Sequence, residues 1–159
     1  MLKRLGATGA MVGVAALAVG SIGPATGQVD QRGGDYHHTI RVLSTNTEEG
    51  GGDVGEPGES VGDMFAFSSL LTKHGRTVGH TGVACTVTSL ERAEAQCVGT
   101  ASLRRGQITV QGLIGEESDE EEFELAITGG TGAYEGAEGT LVVRELSETR
   151  ELLTFHLSD

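Results

Sequence analysis

The sequence is poor in positive charge. It carries 11 lysines and arginines against 23 aspartates and glutamates, a formal net charge of −12. Such a chain repels nucleic acid and anionic membrane surfaces, so neither is an expected partner. Apolar runs are short. The longest, Met11–Gly20 ("MVGVAALAVG"), is too short for a stable transmembrane helix. No cysteine follows that run, which excludes a lipoprotein anchor; Cys85 and Cys97 are the only two. Helical periodicity is almost absent downstream. No Ser-His-Asp order or nucleophile elbow is readable. The five histidines, His37, His38, His74, His80 and His156, lack the spacing of a metal-ligand set. His37 and His38 are adjacent, so on a strand they point to opposite faces. No metal and no cofactor is expected.

The N-terminus has a recognisable layout. Lys3 and Arg4 precede the apolar run, and small residues follow in "SIGPATGQ". This is the pattern of a secretory signal peptide, with cleavage after Ala25 or Gly27. The alternative, an uncleaved membrane anchor, is disfavoured by the length of the run. The expected organisation is a signal peptide at 1–27, a flexible segment at 28–35 and one domain at 36–159. The expected location is extracellular, with no membrane attachment after cleavage. The remaining chain would carry 9 basic and 23 acidic residues, a charge of −14.

Outside the cell two cysteines usually form one disulfide. "GVACTVTS" and "AQCVGTAS" read as two strands joined by "LERAE". A hairpin centred near Arg92 pairs residues whose numbers sum to about 182, which sets Cys85 opposite Cys97. A catalytic thiol is the competing reading.

Eight strand-like runs, rich in Val, Ile, Thr, Leu and Phe, are separated by glycine clusters. They are Tyr36–Thr45, Asp63–Thr72, Arg76–Ser89, Ala95–Leu103, Gly106–Ile114, Glu122–Thr128, Thr140–Leu146 and Arg150–Leu157. The short connections suggest consecutive antiparallel neighbours. Eight such strands can close into an all-β antiparallel barrel, whose interior holds side chains or one small ligand. By alternation Ile40, Val42, Ser44 and Asn46 share one face, as do Phe65 and Phe67, and Ile108 and Val110.

Two segments interrupt this rhythm. "TEEGGGDVGEPGES" (Thr47–Ser60) is glycine-rich and acidic, and is expected to be a mobile loop or a lid over a barrel mouth. "EESDEEE" (Glu116–Glu122) is expected to be a solvated acidic loop, because it lacks the spacing and turn glycine of a calcium loop.

The stretch "ITGGTGAYEGAEGT" (Ile127–Thr140) resembles the start of a dinucleotide-binding turn. Glu135 stands where the third glycine is needed, and its carboxylate would repel a pyrophosphate. Too few residues follow for the rest of a doubly wound sheet, and no βαβ unit precedes. The glycines are better explained by a sharp turn with a short helical turn near 131–136. Tyr134 is the one large side chain there able to cap a barrel end.

An ordered series of motifs resembles the allene oxide cyclase and dirigent-like barrels, as a small secreted bacterial member. "GDMFAFSSLL", "VGHTGVACTVT", "GQITVQGL", "AITGGTGAYEGAEGTL" and "LLTFHL" follow the family order from Tyr36 to Leu157. The resemblance implies an eight-stranded flattened barrel, a homotrimer and an elongated apolar cavity. It implies binding of a small hydrophobic molecule and control of its stereoselective cyclisation or coupling, through orientation. The activity would be that of an isomerase or cyclase, or of a non-catalytic guide; a lipophile carrier or structural module is the alternative. Of two polar residues on the first strand of the cyclases, the Asn matches Asn46, whereas Ser44 replaces the Glu. Cys85 matches a cavity cysteine. The candidate cavity residues are Ser44, Asn46, Phe65, Phe67 and Tyr134; no catalytic residue is assigned.

Overall fold

The structure is a computed structural model that describes residues 38–55, 57–115 and 122–158. The expected signal peptide (1–27) and N-terminal segment (28–35) lie outside the described residues, as does the acidic run except Glu122. Eight strands succeed one another: β1 (His38–Gly52), β2 (Met64–Lys73), β3 (Arg76–Ser89), β4 (Glu94–Leu103), β5 (Gly106–Gly115), β6 (Glu122–Gly130), β7 (Glu138–Ser147) and β8 (Arg150–Ser158). Each pairs antiparallel with the next, and β8 pairs back onto β1, which closes the barrel. One 3-10 turn (Gly132–Tyr134) lies between β6 and β7, within the segment where the sequence places a helical turn.

Strand alternation follows the sequence. On β8, Leu153, Phe155 and Leu157 are buried in phase; on β5, Ile108 and Val110 are. The core joins these to Val42, Leu71, Ala101, Ile127 and Leu141. Cys85 faces Cys97 across β3 and β4, and the two are joined in a disulfide. Both sulfurs are therefore committed, and the reading of a catalytic thiol is overturned.

The strands define two ends. The lower end holds the β2–β3 and β4–β5 turns and the β6–β7 connection. The β2–β3 turn places His74 at φ 51° and Gly75 at φ 73°, the left-handed pair that a two-residue hairpin turn demands. The glycine stretch closes this end. Thr131 N–H donates to the Gln107 carbonyl at 2.8 Å and Ala133 N–H to the Arg105 carbonyl at 2.8 Å. A Cβ on Gly130 would strike the Tyr134 and Gln107 carbonyl oxygens. Gly132 combines φ 63° with an equally close approach to the Arg105 carbonyl. The glycines thus let one backbone lie on another, with no role for phosphate.

The upper end holds the β1–β2, β3–β4 and β7–β8 connections. Here the acidic glycine segment departs from expectation. Its first part is strand: Glu48 to Gly52 pair with Ser68 to Met64 of β2, after an irregularity at Thr47. The ladder to β2 supplies the order that the local composition lacks. The described rest, 53–55 and 57–62, is held by Asp63. Its carboxylate accepts from Val54 N–H and Ser60 N–H, each at 2.8 Å, and from the Ser60 hydroxyl at 3.0 Å. These bonds, the one from Val54 N–H foremost, hold the Asp63 pKa below its ordinary value.

Candidate active site in the upper half of the barrel

Packing is uneven along the barrel axis. In the lower half Leu71, Ile108 and Phe155 are 1% exposed or less. In the upper half a narrow cavity of about 60 Å³ remains between Phe67, Thr81, Val110, Leu125, Val143 and Leu153. That is room for a small alkyl group, and more than the roughly 10–15 Å³ that admits one water. Above it lies a wider mouth of about 300 Å³, lined by Asn46, Phe67, Ser69, Glu145, Ser147, Glu148, Thr149 and Glu151. Phe67 and Glu151 line both spaces, so they stand at the junction.

Glu151 is the one charged side chain facing the inner cavity among its described lining residues. It opens β8 in phase with Leu153 and Phe155, which turns it inward. Its cross-strand partners are Ser44 on β1 and Glu145 on β7. Burial raises its pKa above the ordinary glutamate value. The Ser44 hydroxyl donates a hydrogen bond and opposes the rise, while the neighbouring Glu145 carboxylate adds to it. A carboxyl held this way can carry a proton nearer neutral pH than a free glutamate and deliver it to a bound molecule.

Polar side chains continue away from Glu151 around the inner wall. Ser44 and Ser69 are each 2% exposed, and Thr81 is buried beside them on β3. Asn46 is anchored at the mouth, where its backbone N–H donates to the Thr149 carbonyl at 2.9 Å. Its Nδ2 donates to Glu49 at 3.2 Å. Its Oδ1 is buried without a partner. An unpaired buried acceptor is costly, and here it adjoins an open mouth where a ligand can supply the donor.

The model of the allene oxide cyclase barrel-like domain matches residues 39–157. The chain belongs to the allene oxide cyclase-like barrel family. Among solved structures, a pyocyanin demethylase is similar at 32% identity and a TM-score of 0.68, over 76% of this chain and 100% of that one. An exo-specific intermolecular Diels-Alderase shares the fold at 15% identity and a TM-score of 0.61, over 76% of this chain and 96% of that one. So does a pterocarpan synthase dirigent protein, at 20% identity and a TM-score of 0.58, over 74% and 85%. No curated protein matches the sequence.

Within this family barrel, the residues singled out from sequence separate into two groups. Ser44, Asn46 and Phe67 come together in the upper half. Phe65 shares their side of β2 but is 42% exposed, beyond the cavity wall. Tyr134 packs against the core at the lower end, beside His38, Arg105 and Ala137. It seals the barrel there and is not a polar contact of the cavity. Glu151, Ser69 and Thr81 were not anticipated. The signal for Glu151 was available: an acid in phase with Leu153, Phe155 and Leu157. Glu151 stands on the strand adjoining Ser44 and accepts a hydrogen bond from its hydroxyl.

A further depression, about 950 Å³, is an open groove on the outer face of β2–β5, walled by Ala66, Gly82, Ala84, Val98 and Thr100. It is open to solvent rather than enclosed, with Glu48 and Glu49 along one side.

Proposed function

We propose that this chain is a secreted barrel that binds a small hydrophobic molecule at its upper end and directs that molecule's cyclisation or coupling. The bound molecule sits in the mouth against Phe67, with a small alkyl part in the inner cavity. Glu151 is the proposed proton-handling residue, and Ser44 positions its carboxyl. Asn46 takes a hydrogen bond from the ligand. Orientation in a dry site supplies most of the effect, as for reactions whose difficulty is conformational. The observation that carries the reading is the single inward carboxyl of Glu151 at the junction of cavity and mouth. The similarity to a demethylase and a Diels-Alderase, both acting on small molecules by their names, favours an enzyme over a carrier.

Secretion is supported by the N-terminal pattern and by the disulfide, which is kept in oxidising compartments. The homotrimer implied by the family would use an exposed apolar face. The outer wall of β2–β5, with Leu70, Val98 and Leu113 about half exposed, offers one.

Native mass spectrometry of the protein from its own source tests the binding claim. A retained small molecule in the native chain, lost from Phe67→Arg, is the expected result. A native chain that retains nothing, and shows no NMR shift changes at Phe67, Glu151 or Leu153 with small apolar ligands, overturns it.

A further inference from the structure

The mouth has a one-sided hydrogen-bonding inventory. Glu145, Glu148 and Glu151 contribute acceptors when ionised. Asn46 contributes its unpaired Oδ1 and one amide N–H, the other N–H being donated to Glu49. The cations that share this end of the barrel do not balance it. Arg92 pairs with Glu94 at 3.3 Å. Arg150 is exposed and neighbours Glu151 in sequence, so it projects from the opposite face of β8. Arg144, exposed near the upper end of β7, is taken up by Glu122 at 3.7 Å, and Lys73, Arg76, Arg104 and Arg105 flank the two hairpin turns at the far end. The apolar part of the site, by contrast, carries Glu151 as its one charge.

We propose that the mouth selects a cationic amphipathic small molecule, such as an amine on an apolar body, and turns away carboxylates and phosphates. The apolar body rests on Phe67. An N–H of the cation donates to Asn46 Oδ1, and its charge faces the three glutamates. An anion would find few donors on these side chains, the hydroxyls and one Asn46 N–H, and would face the rim carboxylates of Glu145 and Glu148 at close range. The inference rests on the binding site proposed above and adds the charge class of its ligand.

Three matched probes decide it: 2-naphthylmethylammonium, 2-naphthylmethanol and 2-naphthylacetate. The chain has no tryptophan, so naphthyl fluorescence reports binding directly. At low salt the ammonium is expected to bind at least tenfold more tightly than the carboxylate, with the alcohol between them. Glu145→Gln with Glu148→Gln should shrink that ratio at least threefold, and Asn46→Leu should weaken the ammonium and the alcohol together. Glu135→Gln with Glu138→Gln, at the lower end, should leave the ratio unchanged. Equal binding of ammonium and carboxylate overturns the inference. So does a preference that survives the mouth variants but falls with the lower-end pair, since it would then follow net charge alone. If all three probes bind equally and Phe67→Arg abolishes all three, the charge class fails while the site stands. If none binds, or Phe67→Arg changes nothing, the site fails and the inference with it.

Discussion

The two ends of this barrel solve opposite problems with one backbone plan. The lower end is plugged: glycines let the β6–β7 connection lie against the start of β5, Tyr134 packs beneath it, and Phe155, Leu71 and Ile108 fill the space above. The upper end stays open. Its core narrows to a cavity, its wall turns polar at Ser44, Ser69 and Thr81, and glutamates gather at the mouth. The difference teaches where stability and function are kept apart. Close packing at one end tolerates an underfilled, acid-lined space at the other.

The sharpest test of this division is to truncate a phenylalanine at each end. Phe155→Ala should cost about 3–5 kcal/mol, as a fully buried aromatic does, read by urea unfolding. Phe67→Ala should cost less than about 1.5 kcal/mol and should raise the affinity of bulkier apolar probes by joining the cavity to the mouth. Equal losses at the two sites would break the comparison. The open end has its own brace, the disulfide between Cys85 and Cys97. Replacing both with alanine removes a closure of 12 residues and should cost about 3 kcal/mol by chain entropy. Hydrogen exchange should then accelerate in β3 and β4 at the upper end while β5 and β8 keep their protection at the lower end. In the plug, Gly130→Ala should cost about 1–3 kcal/mol from overpacking, with no change in ligand affinity. A loss of binding there would show that the two ends are coupled.

The smallest expected effect concerns pH. Burial raises the Glu151 pKa above the ordinary glutamate value of 4.5, so the folded chain holds this proton where the unfolded chain has released it. Stability should therefore fall as pH rises from 4.5 through the raised value. Glu151→Gln should remove this contribution and flatten the profile in that interval. An unchanged slope in the variant would mean that the carboxyl is not held as the geometry requires. Asp63 runs the other way. Its pKa is lowered by the Val54 and Ser60 bonds, so its contribution is present above the ordinary aspartate value and is lost as pH falls. Asp63→Asn should quicken proteolysis within 53–60 and leave the barrel intact.

Much of the fold was legible because strands are written locally. Seven of the eight runs read from sequence begin and end within two residues of their strands. The exception is β1, which runs on to Gly52 through residues that by composition belong in a loop. Glycine and glutamate have little strand preference, and only the ladder to β2 keeps Glu48–Gly52 extended. The site was legible in part. Ser44, Asn46 and Phe67 follow from alternation and from the family motifs. Tyr134 was assigned to the cavity because nothing local says at which end of a barrel a turn lies relative to Asn46. Glu151 escaped because an acid at the start of a strand reads as surface until the strand's partner is known.

By itself the sequence determined the local units: eight alternating strands, a hairpin register that brings Cys85 to Cys97, and a glycine turn that only close backbone contact explains. These depend on neighbours a few residues away, and side-chain period and turn chemistry encode them. Only the tertiary structure decided which inward residues meet. Closing β8 onto β1 sets Glu151 beside Ser44, and the next ladder brings Glu145 to the same carboxyl. The first of those pairings depends on register between strands at opposite ends of the chain, which hydrogen-bonded closure of the whole barrel fixes and no local pattern contains; the second belongs to the β7–β8 hairpin.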